Sequence, residues 1–94
     1  MSQPIDLERL LLLLHGDRSL FVHLCDAGFL PQQEERYTLE HAEVARVAGT
    51  LVHELEVNLS GVEVVLRMRS ELVTTRRQMA ELVQLLKECE KSAD

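Results

Sequence analysis

The sequence predicts a mainly all-α protein, with a small helical head over residues 1–58 and one long amphipathic helix over residues 59–94. Three observations predict it. The stretch from Ser60 to Glu90 contains no Pro, and its only Gly, Gly61, sits at its start, so nothing inside it breaks a helix. Its apolar residues recur at a seven-residue step: Val65, Leu72, Met79 and Leu86 form one row, and Met68, Leu82 and Cys89 a second that Thr75 interrupts. Upstream, short apolar runs lie between capping residues and the glycines Gly16 and Gly28, the punctuation of short helices.

Taken in order, Met1 to Gln3 are expected to fray, and Pro4 and Asp6 form the approach to a helix from Leu7 to His15 that Gly16 ends. This segment is apolar nearly all round and is therefore expected to pack on more than one side. Asp17 offers an N-cap to a second helix, Ser19 to Ala27, which Gly28 stops. Two helices joined by a short Gly-containing turn form a helix-turn-helix. Phe29-Leu30-Pro31 and the polar run from Gln32 to Tyr37 read as a loop or small β-wing. Thr38 caps a third helix, Leu39 to Glu56, with Leu39, Ala42, Ala45, Val47, Ala48, Leu51, Val52 and Leu55 as its apolar positions. Gly49 weakens that helix by about 1 kcal/mol relative to Ala, which reads as close packing or simple tolerance. Asn58 and Ser60 bracket the break into the long helix, where Ser60 with Glu63 reads as a capping box.

About thirty residues of helix span roughly 45 Å, too long to lie across a domain of this size. A partner must cover the apolar stripe, and Val65, Met68, Leu72, Met79, Leu82 and Leu86 are the expected homodimer interface. The alternative is a helix folded back on its own domain. Arg69, Arg76 and Arg77 near Glu71 and Glu81 either set the register of a pair or form a solvated face. Toward Leu82, Leu85 and Leu86 the helix becomes apolar on more than one side.

Ninety-four residues allow one domain with a small core, which profits from oligomerisation. Sixteen acidic against ten basic residues give a net charge of -6 and a pI near 5.1. A nucleic-acid binder would normally show a basic face, so strong non-specific DNA affinity is not expected, whereas a basic protein partner suits the charge. Cys25 and Cys89 have no Cys or His neighbour at ligand spacing, and the chain opens with MSQPIDLERL rather than a signal peptide, so the expected compartment is a reducing cytosol. The run from Leu10 to Leu14 is far too short to span a bilayer.

The order helix-turn-helix, small wing, helix, long helix resembles the MerR superfamily. Gly28-Phe29-Leu30-Pro31 resembles the Gly-Leu-Leu-Pro that ends that family's second helix. Arg36-Tyr37-Thr38, followed by Glu40, Glu43 and Val44, is similar to its Arg-Tyr-Ser/Thr-x-Glu-x-Asp-Val stretch. Leu55 to Val62, followed by Val65 and Leu66, resembles a segment shared by the HspR-type heat-shock repressors and the CbpM-type chaperone modulators. The resemblance spans about Leu7 to Leu86. Within it the second helix departs from the DNA-binding pattern Thr-Leu-Arg-Tyr-Tyr-Glu: Leu20 to Cys25 stand there, and Val22 takes the place of the Arg. An apolar side chain cannot make a charge-assisted phosphate or bidentate base contact. Gln32, Gln33, Glu34 and Glu35 likewise stand where basic residues track phosphates.

These departures resemble the CbpM branch. That resemblance implies a non-catalytic protein that binds and inhibits the J-domain of a CbpA/DnaJ-like co-chaperone. J-domains carry a basic helix, so Glu34, Glu35, Glu40 and Glu43 are the candidate contacts, although Glu40 also simply favours the dipole of its own helix. The resemblance also implies an antiparallel pairing of the long helices, which holds the two Cys89 side chains apart. The rival reading is a DNA-binding regulator of HspR or MerR type in which Arg9, Arg18 and Arg36 reach phosphates. A third is a purely structural dimerisation module.

Catalytic and metal chemistry find little in the sequence. The spacings of His15, His23, His41 and His53 match no Zn or metalloprotease signature, no Gly-rich phosphate loop is present, and no cofactor is expected. The apolar neighbours of Cys25 favour a buried, inert thiol, and Met68 and Met79 fall on the helical seam, where packing explains them.

Overall fold

The computed structural model describes residues 5–92; the expectations placed on Met1 to Pro4 and on the last two residues lie outside the described residues. Four helices follow one another: α1 (Leu7–Leu13), α2 (Arg18–Asp26), α3 (Leu39–His53) and α4 (Leu59–Ser92). Local chemistry sets most of their ends. The Asp6 carboxylate accepts from the Arg9 amide at 2.9 Å and the Asp17 carboxylate from the Leu20 amide at 3.0 Å, so each caps the helix that follows it. Thr38 caps α3 in a reciprocal arrangement, its Oγ1 accepting from the His41 amide while His41 Nδ1 accepts from the Thr38 amide, both at 3.1 Å.

α2 is shifted by one residue, Arg18–Asp26 in place of Ser19 to Ala27, and the other three helices differ from expectation for local reasons. α1 ends two residues early because His15 and Gly16 both turn left-handed, at φ 60° and 75°, and the Gly16 amide reaches back to the Leu11 carbonyl at 2.8 Å. α3 ends at His53 rather than Glu56, because Glu56 is left-handed at φ 56° and the Leu55 and Val57 amides close on the Thr50 and Leu51 carbonyls. The expected Ser60–Glu63 capping box does not form. Asn58 is the cap instead: its carbonyl accepts the first helical bond, from Val62, and its side chain accepts from the Gly61 amide at 2.8 Å. Ser60 lies inside the helix, and Glu63 turns toward α2.

Residues 31–38 form a loop in the place of the expected wing. Among the described residues no strand occurs, and the loop's one β-type contact is an isolated antiparallel bridge between Ile5 and Tyr37. Tyr37, which the polar surroundings concealed, is 5 % exposed, and its hydroxyl donates to the Pro31 carbonyl at 3.5 Å.

The core is built by Leu10 and Leu14, Leu20 and Leu24, Leu30, Tyr37, Ala45 and Ala48, and closed by Val62 and Leu66 of α4. α3 is the central layer, with α1 against one side and the base of α4 against another. Gly49 is there because of close packing: a Cβ on it would stand 2.3 Å from the Leu13 carbonyl oxygen. No side chain other than hydrogen fits. α4, 34 residues long, runs roughly 51 Å and accounts for the elongated 58 × 33 × 22 Å outline.

Candidate interaction surfaces

α4 has two apolar faces. Val62 and Leu66, at 0 % and 2 % exposure, face the head. The six expected seam residues lie roughly a third of a turn away around the helix. Val65, Met68, Leu72, Met79, Leu82 and Leu86 are all exposed, Met68 and Leu86 at 63 % and 64 %. The seam is therefore separate from the head-packing face, and the expectation of a helix folded back onto its domain along this stripe is not met. From Thr75 to Lys91 every residue is exposed, so the distal half of α4 stands clear of the head.

The heptad pattern concealed the head-packing face. Its sequence signal was present in the four-residue spacing of Val62 and Leu66, with Arg69 one step further on. Arg69 extends that face by bonding Glu40 on α3, and its second nitrogen lies 4.0 Å from Glu43.

The four candidate glutamates separate into two groups. Glu40 is tied to Arg69, and Glu43 takes a two-pronged contact from Arg46 at 3.2 and 2.9 Å. The Arg46 hydrogen bonds hold the Glu43 carboxyl below its ordinary range, and the same contact raises the guanidinium. These two carboxylates are neutralised by their own chain. Glu34 and Glu35 lie exposed on the loop, where they join Leu7, Gln32, Gln33 and Tyr37 around a shallow depression. Neither forms an ion pair with a described residue.

α2 turns Arg18, Ser19, Val22 and Asp26 outward, and Val22 is 51 % exposed. Arg9 and Arg36 are also on the surface. Cys25 is half-buried, with its sulfur 3.7 Å from the Pro31 carbonyl oxygen, and burial pushes its thiol up, with Asp26 adding to the effect. Cys89 is exposed on α4.

Three histidines meet carboxylates of other segments, an arrangement that sequence spacing did not reveal. His53 Nε2 lies 2.8 Å from Asp17, His15 Nε2 3.8 Å from Glu54, and His23 Nε2 3.4 Å from Glu63. The rings of His15 and His53 stack, 5.0 Å apart and 19° from parallel. The Asp17 carboxyl lies below its ordinary value, mainly because it accepts from the Leu20 amide and secondarily through His53. Among the described residues no group of three or more His, Cys, Asp or Glu side chains has the geometry to hold a metal ion, and no helix is long and apolar enough to cross a membrane.

The chain matches no family model, no curated protein and no solved structure.

Proposed function

We propose that this chain is a non-catalytic, cytoplasmic chaperone modulator: a homodimer joined through α4 whose head binds and inhibits the J-domain of a CbpA/DnaJ-like co-chaperone. The reading rests on the resemblance of the sequence to CbpM-type modulators, and one observation supports it over DNA binding. The outward face of α2, which would have to enter a groove, carries the apolar Val22 with Asp26 one turn beyond it. Arg18 alone supplies positive charge there. A surface of this kind gains little from phosphates and more from a partner with its own apolar and basic groups. Glu34 and Glu35 are the preferred acidic contacts in this reading, because Glu40 and Glu43 already pair with Arg69 and Arg46.

Dimerisation through the seam answers the physical problem of α4, since an exposed helix of this length gains most of its stability from packing its apolar face.

Isothermal calorimetry of this protein against such a J-domain, at two salt concentrations, tests the reading. Binding at micromolar affinity or tighter, weakened by salt and weakened at least tenfold by Glu34→Lys with Glu35→Lys, is the expected result. No heat at either salt removes the proposal. Salt-steep binding to a promoter duplex would then favour the regulator reading through Arg9, Arg18 and Arg36.

A further inference from the structure

The outer side of α1 carries apolar surface that the core does not use. Leu7 is 37 % and Leu12 76 % exposed, on a helix that already buries Leu10 completely. Two shallow depressions adjoin them. One lies between α1 and the loop and is lined by Leu7, Glu34 and Glu35. The other lies between α1 and the start of α2 and is lined by Glu8, Leu11, Leu12 and Arg18. Residues four apart on a helix sit one above the other, so Leu7 leads to Leu11 and Glu8 to Leu12. The two depressions therefore lie end to end, and together they make one groove along α1 from the loop to α2.

Charge gives this groove a direction. Glu34 and Glu35 stand at its loop end and Glu8 midway, and none of the three forms an ion pair with a described residue. Arg18 marks the α2 end. Arg9 and Arg36 line neither depression, and on α1 Arg9 projects away from Leu7 and Leu11.

Three classes of occupant can be compared on these terms. A nucleic-acid backbone would bring its phosphates against Glu8, Glu34 and Glu35, with Arg18 as the one attraction. A second copy of this chain carries a net charge of -6 and meets like charge there. An amphipathic helix with Lys or Arg toward one end and apolar side chains facing inward satisfies both the leucines and the carboxylates.

We propose that the groove along α1 is the docking site for a basic amphipathic helix, gripped by Leu7, Leu11 and Leu12 and oriented by Glu8, Glu34 and Glu35 at one end and Arg18 at the other. The basic end of the partner lies over the loop, and its neutral or acidic end lies beside Arg18. That the helix belongs to a J-domain rests on the chaperone-modulator reading; the chemistry of the groove does not.

The test is a nitrogen-15 amide titration of the full chain with two probes: a J-domain of a CbpA/DnaJ-like co-chaperone, and a synthetic amphipathic peptide of Leu and Lys at helical spacing. Both should shift the amides of α1 and of Gln32 to Glu35. Leu12→Asp, at a position outside the core, should weaken both at least tenfold, and Arg18→Glu should tighten both about two- to threefold. The same Arg18→Glu change would weaken DNA binding. A peptide with Glu in place of Lys should leave these amides unmoved, and equal shifts with it overturn the proposal. A J-domain that binds wild type, Leu12→Asp and Arg18→Glu equally overturns the groove and leaves the modulator reading standing. A J-domain that does not bind removes that reading, and the Leu/Lys peptide then decides. Shifts on α1 and the loop uphold the groove; shifts confined to α4, or none, overturn it.

Discussion

At the scale of single residues, Gly49 is the position where space is most constrained. In an exposed helix Gly→Ala adds about 1 kcal/mol of stability through propensity. Here the added methyl would meet the Leu13 carbonyl oxygen at 2.3 Å, a backbone atom that moves only if α1 moves with it. Overpacking of this kind costs about 1–3 kcal/mol, so Gly49→Ala is expected to lower stability in urea denaturation despite its helix propensity. Glu56 presents the opposite case. It holds a left-handed φ of 56° and is exposed, so the strain has no side-chain contact to justify it. Glu56→Gly should raise stability by about 0.5–1 kcal/mol, because relief of that strain exceeds the entropy that Gly loses on folding. A fall in the urea midpoint would refute it. Asp17 carries a pH dependence of its own. Its carboxyl is depressed in the folded state, so its contribution is present above the ordinary value of 3.8 and is lost as pH falls through the folded value. Asp17→Ala should cost about 1 kcal/mol at neutral pH as a lost cap, and the cost should shrink toward acid in melts taken below pH 4.

At the scale of elements, the four helices follow from signals that lie within a few residues of one another. Asp17 and Thr38 sit directly before the runs they cap, and Gly16 and Gly28 directly after the runs they close. Such signals are legible because their energetics are local. The face of α4 that packs on the head was hidden for a different reason: Val62 and Leu66 make up barely one turn of a second stripe, roughly a third of a turn from the seven-residue rows, and the charged Arg69 interrupts its apolar pattern. The Arg69–Glu40 tie spans 29 residues and the His53–Asp17 tie 36, and each depends on an inter-helix angle that no local pattern encodes. The candidate acidic surface shows the consequence. Glu40 and Glu43 look as free as Glu34 and Glu35 in the sequence, yet they brace α3 against α4 and Arg46. Reversing Glu40 and Glu43 to Lys is therefore expected to lower the melting temperature, through repulsion with Arg69 and Arg46. The same change at Glu34 and Glu35 should leave it within about a degree and act on partner binding alone. Calorimetry and melts on the two double variants separate these outcomes.

At the scale of the whole molecule, a compact head is joined to a helix whose distal half touches nothing in that head. Residues 75–91 cover roughly 25 Å of axis, and an isolated helix of that length is marginal in water. Its seam side chains, Met79, Leu82 and Leu86, are each more than half exposed, so pairing of two such helices would remove from water the apolar area that the head leaves uncovered. The head-packing residues Val62 and Leu66 lie on another face, which allows association to be disrupted without touching the core. Leu72→Glu combined with Leu82→Glu places like charges in the seam. This variant is expected to sediment as a monomer of about 10.7 kDa, whereas the wild type should sediment at twice that mass. Its helical circular dichroism should fall as the distal half of α4 melts, while amide protection at Leu10, Leu24 and Ala45 persists because the head core is intact. Wild-type melting temperature should also rise with protein concentration, and that of the variant should not. A wild type that sediments at the single-chain mass, with a melting temperature independent of concentration, would leave α4 as a solvated spar and remove dimerisation from the proposed function.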